Sequence, residues 1–203
     1  GSNISRLISK FRPDLVRGVK VKLEKTPEFS EEVETPVDLP PGSVVLGLKN
    51  QIDPDLKSSL NYLRKRGILK KDLLRWRILS CKTGSFRRRV IIPSFDNEGK
   101  LNYYVARTID PHIKMKYQNA KVSKESIIFN EIDLDWSREM ILVEGVFDAI
   151  NCPENTVPIL GSSLSRRSKL FSMISKNQTP CTVSLDPDLK EKAFKIADLL
   201  TSA

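Results

Sequence analysis

From Asp53 onward the apolar positions fall at helical intervals. In DPDLKSSLNYLRKRGILKKDLLRWRI, Leu56, Leu60 and Leu63 form one set and Ile68, Leu73 and Leu74 a second, with Gly67 between them. The spacing predicts two helices broken at that glycine. Asp53-Pro54 marks the first start, because a proline in the first turn loses no hydrogen bond. From Arg87 the period changes. RRRVIIPSFDNEGKLNYYVARTI reads as two strands around the turn DNEG, and PHIKMKYQNA after it is polar and irregular. EMILVEGVFDAIN then gives an apolar strand from Met140 to Val143, a glycine turn and a helix. TVPILGSSLSRRSKLFSMISKN repeats that order, with Gly161 and a serine-rich cap region, and CTVSLDPDLKEKAFKIADLL repeats it again. Strand–turn–helix units from Met140 to Leu200 predict a parallel sheet with helices packed on it. The expected fold class is therefore α/β: a mixed α+β N-terminal part, then a mostly parallel sheet flanked by helices.

Residues 21–45 break this regularity with prolines at 27, 36, 40 and 41 and many acids. They read as an extended arm or linker. The expected division is an arm over 1–50, a basic subdomain over 51–130 and an α/β domain over 131–203. A chain of 203 residues is long enough to bury a real core. No run of about 18 apolar residues is present, so no membrane span is expected. The opening GSNISRLISKF lacks a secretory pattern, and Gly1-Ser2 reads as a cloning remnant. Cys81, Cys152 and Cys181 are odd in number and far apart, which gives neither a disulfide framework nor a CxxC pair. A reducing, cytoplasmic compartment is expected, with the thiols as small hydrophobes.

Charge changes the picture more than composition does. Between Lys57 and Lys124 there are 18 Lys plus Arg against 4 Asp plus Glu, a balance of +14 within a net +9. A basic middle thus precedes a mildly acidic end. Such a face is either a solvated surface or a site for a polyanion.

The acids near the end are arranged differently. In a parallel α/β sheet, sites form outside the carboxyl ends of the strands. Glu144 ends one expected strand, Asp186 ends another, and Asp188 follows two residues on, a separation of roughly 6.5 Å in extended chain. Asp148 lies in the first turn after Glu144, and Gly145 suits a tight turn there. Two like charges about 4 Å apart repel by about 4 kcal/mol at an effective dielectric of about 20. A hard divalent cation such as Mg²⁺ or Mn²⁺ would relieve that repulsion and accept substrate phosphates. The plainer alternative is that Asp186 and Asp188 merely favour the helix N-terminus near Leu189.

At these residues a family resemblance emerges. ILVEGVFDAI and VSLDPD resemble the two acidic motifs of the TOPRIM domain, shared by DnaG-type primases, type IA and type II topoisomerases, RecR and OLD-type nucleases. VPILGSSLS resembles the primase segment between them. YLRKRGI, RRVIIPSFDNEGKLNYYVAR and KMKYQNA resemble the basic N-terminal half of the DnaG-type RNA polymerase domain. The likeness covers roughly residues 60–200, and LDPDLKEKA is closer to the phage primases. It implies an RNA polymerase core that joins ribonucleotides on single-stranded DNA during replication, using two or more Mg²⁺ or Mn²⁺ ions. By position, Glu144 would be the central metal ligand and general base, Asp186 and Asp188 would bind the catalytic metals, and Asp148 would support them. Arg66, Arg89, Arg107, Lys116 and Asn119 match the family's residues for nucleic acid and triphosphate. The implied partners are a single-stranded DNA template, an RNA primer, ribonucleoside triphosphates and, through parts missing here, a replicative helicase; no membrane is implied.

The chain departs from the family's pattern in three places. No zinc-binding module precedes the basic motifs, so zinc belongs only to a module absent from this chain, and the chain reads as a core fragment or a reduced protein. Glu131 stands where the family often has a lysine, whose contact is lost or passes to Lys121 or Lys124. The chain stops soon after the DPD helix. The competing readings are a TOPRIM nuclease, a topoisomerase, and a binding module without catalysis. Tyr62, Tyr103, Tyr104 and Tyr117 all precede the acidic motifs, which disfavours a topoisomerase. His112 has no partner ligand nearby, and Trp76 lies in an apolar helical pattern that suits packing better than base stacking.

Overall fold

The computed structural model describes residues 36–48, 53–161 and 163–202. The first thirty-five residues of the expected arm, and 49–50, lie outside the described residues. Within its described part, Ser43–Val45 forms a strand, β1, and Leu46 is fully buried. That part of the expected linker is built into the fold, because Val37, Leu39 and Val44 supply apolar surface to the first core.

Helix α1 spans Pro54–Lys65 and α2 spans Lys70–Arg75. Asp53 accepts the N–H groups of Asp55 and Leu56 at 2.9 and 3.3 Å, and Pro54 needs no such acceptor. Gly67, at φ +78°, allows the turn between the helices. Leu56, Leu63, Ile68 and Leu73 are buried as the spacing predicts, whereas Leu74 is half exposed. Strands β2 (Leu79–Cys81), β3 (Arg89–Phe95) and β4 (Leu101–Thr108) complete an antiparallel sheet in the order β1-β2-β3-β4. The DNEG turn joins β3 to β4: Asp96 Oδ1 accepts the N–H groups of Glu98 and Lys100, at 3.0 and 2.8 Å. Trp76 is buried against Phe129, with ring centroids 6.4 Å apart, which settles its role as packing.

The second sheet is parallel, as the repeated strand–turn–helix units predict. β5 is Met140–Val143, β6 is Thr156–Pro158 and β7 is Cys181–Val183, in the order β6-β5-β7. Helices α3 (Val146–Asn151), α4 (Lys169–Asn177) and α5 (Lys190–Thr201) follow the three strands. The chain runs from β5 to one neighbour and then crosses to the other side. The strand order therefore switches at β5 and β7, where the ends of parallel strands open a crevice. Met140, Leu142, Val157, Leu170, Phe171, Ile174 and Ile196 make the core of this part. α3 faces the other way: Val146, Phe147, Ala149 and Ile150 join the core of the antiparallel part. The short helix after Glu144 is thus the element that ties the acidic edge to the basic half. Among the described residues, no helix is long and apolar enough to cross a membrane.

Candidate functional site

The acidic edge is built by strand register. Leu142 pairs with Val183, and the Ser184 N–H donates to the Leu142 carbonyl at 2.8 Å. Counting on from that pair, Glu144 comes level with Leu185, and Asp186 lies one residue beyond. Neighbouring strands run roughly 4.8 Å apart, so Glu144 and Asp186 emerge at one sheet edge, at the switch point. The turn after β6 closes the other side: the Gly161 N–H donates to the Glu144 carbonyl at 2.9 Å. Asp188 follows in a 3₁₀ turn, Pro187–Leu189, whose Leu189 N–H donates to the Asp186 carbonyl at 2.8 Å. Asp186 and Asp188 are exposed and Glu144 is half-buried. Among the described residues, none of the three carboxylates takes part in an ion pair or a side-chain hydrogen bond.

That leaves their oxygens open to an outside cation. A set made only of carboxylates suits Mg²⁺ or Mn²⁺ and not a soft metal. Among the described residues, no three His, Cys, Asp or Glu side chains already converge as a cage. Uncompensated carboxylates repel one another, so a splayed arrangement is what the charges alone favour. Asp148 differs from the other acids. Its Oδ2 accepts the Gly145 N–H at 3.0 Å, which closes the first turn of α3. The backbone at Gly145 is extended, with φ −130°, a conformation open to any residue. The glycine is needed for room instead, since a Cβ there would stand 3.1 Å from Asp148 Oδ2. The expected tight turn is in fact a crowded cap.

The basic candidates divide into two groups. Arg66, at the end of α1, and Arg107, on β4, converge on α3. The Arg66 guanidinium lies 5.2 Å from the centre of the Tyr62 ring and 4.8 Å from that of Phe147. The Arg107 guanidinium lies 5.7 Å from Phe147 and 4.8 Å from Tyr117, and it donates to the Tyr117 hydroxyl. Burial pulls the Arg107 pKa down, but the Tyr117 and Tyr62 hydroxyls outweigh it and the net shift is upward. Both guanidiniums therefore stay charged within one short helix of Glu144. Lys116 joins them on the outside with an exposed side chain.

Arg89 and Asn119 are placed otherwise. Arg89 is only 5% exposed. Its Nη2 and Nη1 donate to the carbonyls of Met115 and Lys116 at 2.9 and 3.2 Å. Desolvation lowers its pKa, and no carboxylate pairs with it among the described residues. Its polar atoms hold the segment that carries Lys116 and do not face outward. Asn119 Oδ1 accepts the Ala106 N–H at 3.3 Å and bonds Tyr103, so it too pins this segment to β4. His112 is exposed. Glu131 is almost fully buried and pairs with Lys169 at 2.8 Å, while Lys124 Nζ donates to the Leu160 carbonyl at 3.0 Å. Two features have no clear mark in the sequence. One is Phe147 as the ring shared by both arginines. The other is the Arg88 cluster, which bonds Asp110 through two nitrogens at 2.8–3.2 Å and Asp55 at 2.9 Å.

Comparison with known proteins gives a consistent answer on fold. No family model matches the chain. No curated protein matches its sequence. Among solved structures, the zinc-binding and RNA polymerase domains of the Aquifex aeolicus primase superpose with a TM-score of 0.60 at 23% identity, over 77% of this chain and 48% of that one. A DnaG primase catalytic domain bound to single-stranded DNA gives 0.55 at 18%, over 71% and 59%. The primase fragment of the bacteriophage T7 primase-helicase gives 0.53 at 14%, over 68% and 59%. This chain thus spans about half to three-fifths of the length of these structures. The antiparallel sheet, the three-stranded parallel sheet and the helices joining them are the fold of the DnaG-type primase catalytic core.

Proposed function

We propose that the chain is the RNA polymerase core of a DnaG-type primase, with a basic subdomain over 51–130 and a TOPRIM domain over 131–203. It would extend RNA on single-stranded DNA from ribonucleoside triphosphates. One observation carries this reading. Two arginines from the basic half stack on Phe147, in the helix that begins directly after Glu144. A cationic site for phosphate oxygens therefore adjoins an edge of unpaired carboxylates.

The residues divide the work. Glu144, Asp186 and Asp188 would hold Mg²⁺ or Mn²⁺, with Asp148 in support. Such ions, when bound, stabilise the charge that develops on the phosphate and the leaving pyrophosphate. Glu144 is placed to take the proton from the primer 3′-hydroxyl as its oxygen attacks the α-phosphorus. Arg66 and Arg107 would hold the triphosphate by charge-assisted hydrogen bonds. Lys116, held out by Arg89, would contact the strand backbone, which makes binding salt-dependent. Such a protein works in the cytoplasm of a bacterium or a phage-infected cell.

The test is template-dependent extension of an annealed RNA primer with labelled ribonucleotides and Mg²⁺ or Mn²⁺. Asp186→Ala and Glu144→Gln should each reduce product by about 100-fold or more. Metal-dependent shortening of the DNA without extension would instead mean a nuclease. Salt-sensitive binding with neither activity would mean a binding module.

A further inference from the structure

Phe147 lies where the two halves of the protein meet. Its ring is buried, 6% exposed, in the core of the antiparallel part, yet it belongs to the helix that opens at Glu144 and Gly145. The guanidiniums of Arg66 and Arg107 both come within cation–π range of it, at 4.8 and 5.7 Å. Each arginine also has an outer aromatic partner, Tyr62 for Arg66 and Tyr117 for Arg107. The result is a ladder, Tyr62–Arg66–Phe147–Arg107–Tyr117, with Phe147 at its centre. Among the described residues, neither guanidinium has a carboxylate partner. Aromatic rings orient a guanidinium without neutralising it, so both cations keep their full charge and their N–H donors for an anion.

We infer that Phe147 is a positioning residue: its ring fixes Arg66 and Arg107 at the acidic edge so that they receive phosphate oxyanions together. The inference rests on the primase reading for the identity of the anion, a nucleotide triphosphate or a strand phosphate, but not for the ladder itself. Position 147 touches no substrate on this account and acts only through the two arginines.

The test compares Phe147→Met, of similar volume but without a ring, with Phe147→Tyr, which keeps one. Two binding arms separate the sources of phosphate. One titrates fluorescein-labelled single-stranded DNA in EDTA, followed by anisotropy; the other measures the KM for ATP in primer extension with Mg²⁺. Loss of two exposed-to-half-buried cation–π contacts should weaken one or both about tenfold, with kcat changed little, and Phe147→Tyr should restore it. An effect in the ATP arm alone assigns the pair to the triphosphate, and in the DNA arm alone to the strand. The side-chain Nε–H signals of Arg66 and Arg107 should also lose a ring-current shift in Phe147→Met and keep it in Phe147→Tyr. A merely structural role would not move those signals. Should Phe147→Met fail to fold, Phe147→Leu serves in its place. Unchanged Nε–H signals, or wild-type affinity and KM in both arms, would overturn the inference. Wild-type protein that extends no primer, but whose DNA binding still depends on the ring, would refute the polymerase reading and leave the positioning role standing.

Discussion

Arg89 offers the sharpest separation between what the sequence suggests and what the structure shows. By motif it belongs with the phosphate-binding arginines; by position it is buried and tied to the Met115 and Lys116 carbonyls. Replacing it with Met removes two hydrogen bonds from an ionised donor, each worth about 1.5–3 kcal/mol. The Lys116 carbonyl still accepts the Thr108 N–H at 3.0 Å, so only the Met115 carbonyl loses its partner. Removing a buried guanidinium that has no carboxylate also recovers part of its desolvation cost. The expected net loss for Arg89→Met is about 2 kcal/mol. For a chain of this size that lowers the melting temperature by about 4–8 °C. Lys116→Gln is the comparison. Its side chain is exposed, so stability should change by less than about 0.5 kcal/mol. Losing one phosphate contact should, however, lower the slope of log affinity against log salt by about 0.7 for a single strand. Arg89→Met should keep the wild-type slope, because it contacts no phosphate and the surrounding lysines keep their charge. Thermal melts and salt titrations of DNA binding decide between the two. Arg89→Met with an unchanged melt and a slope reduced like that of Lys116→Gln would refute the clamp and return Arg89 to the binding face.

Other expectations follow from the acids. Free Mg²⁺ at about ten times its Kd should stabilise the protein by about 1.4 kcal/mol. Thermal melts should show the gain in the wild type and not in Asp186→Ala. Asp148→Asn keeps an oxygen for the Gly145 N–H and should melt within about 0.5 kcal/mol of wild type, whereas Asp148→Ala should lose about 1 kcal/mol of capping. A smaller Mg²⁺ response in Asp148→Asn would then isolate its support of the metal from its structural work. In the Arg88 cluster, hydrogen bonds from Arg88 hold the Asp110 carboxyl below its ordinary 3.8, and those from Arg87 and then Arg88 do the same for Asp55. Their contribution is present above the unfolded value and is lost as the pH falls through the lower folded values. Arg88→Met should therefore flatten the acid limb of stability below about pH 4, measured by urea titration across pH.

The legible parts of this protein are those where one residue type has one physical use. Prolines and glycines marked the start of α1 and the break after it, and apolar periods of two and of three to four marked β3, β4 and the three strand–helix units. Carboxylates at strand ends marked the edge at Glu144 and Asp186, because a parallel sheet can place them nowhere else. The illegible parts are those where an identical side chain serves opposite ends. Arg66, Arg89 and Arg107 are equally basic in sequence, yet one is buried against carbonyls and two are held on a ring. Which way an arginine turns depends on partners far along the chain: Met115 for Arg89, Phe147 for the other two. Leu74 shows the same limit for an apolar residue, since one helical position decides between core and solvent. Glu131 shows it for an acid. As a departure from the family's lysine it suggested a lost phosphate contact, but it is a buried partner for Lys169. That reversal has a consequence for the site. The cations left to meet a polyphosphate are those without a carboxylate, and among the candidates by the acidic edge these are Arg66, Arg107 and Lys116. The two arginines depend for their aim on a phenylalanine that carries no charge at all.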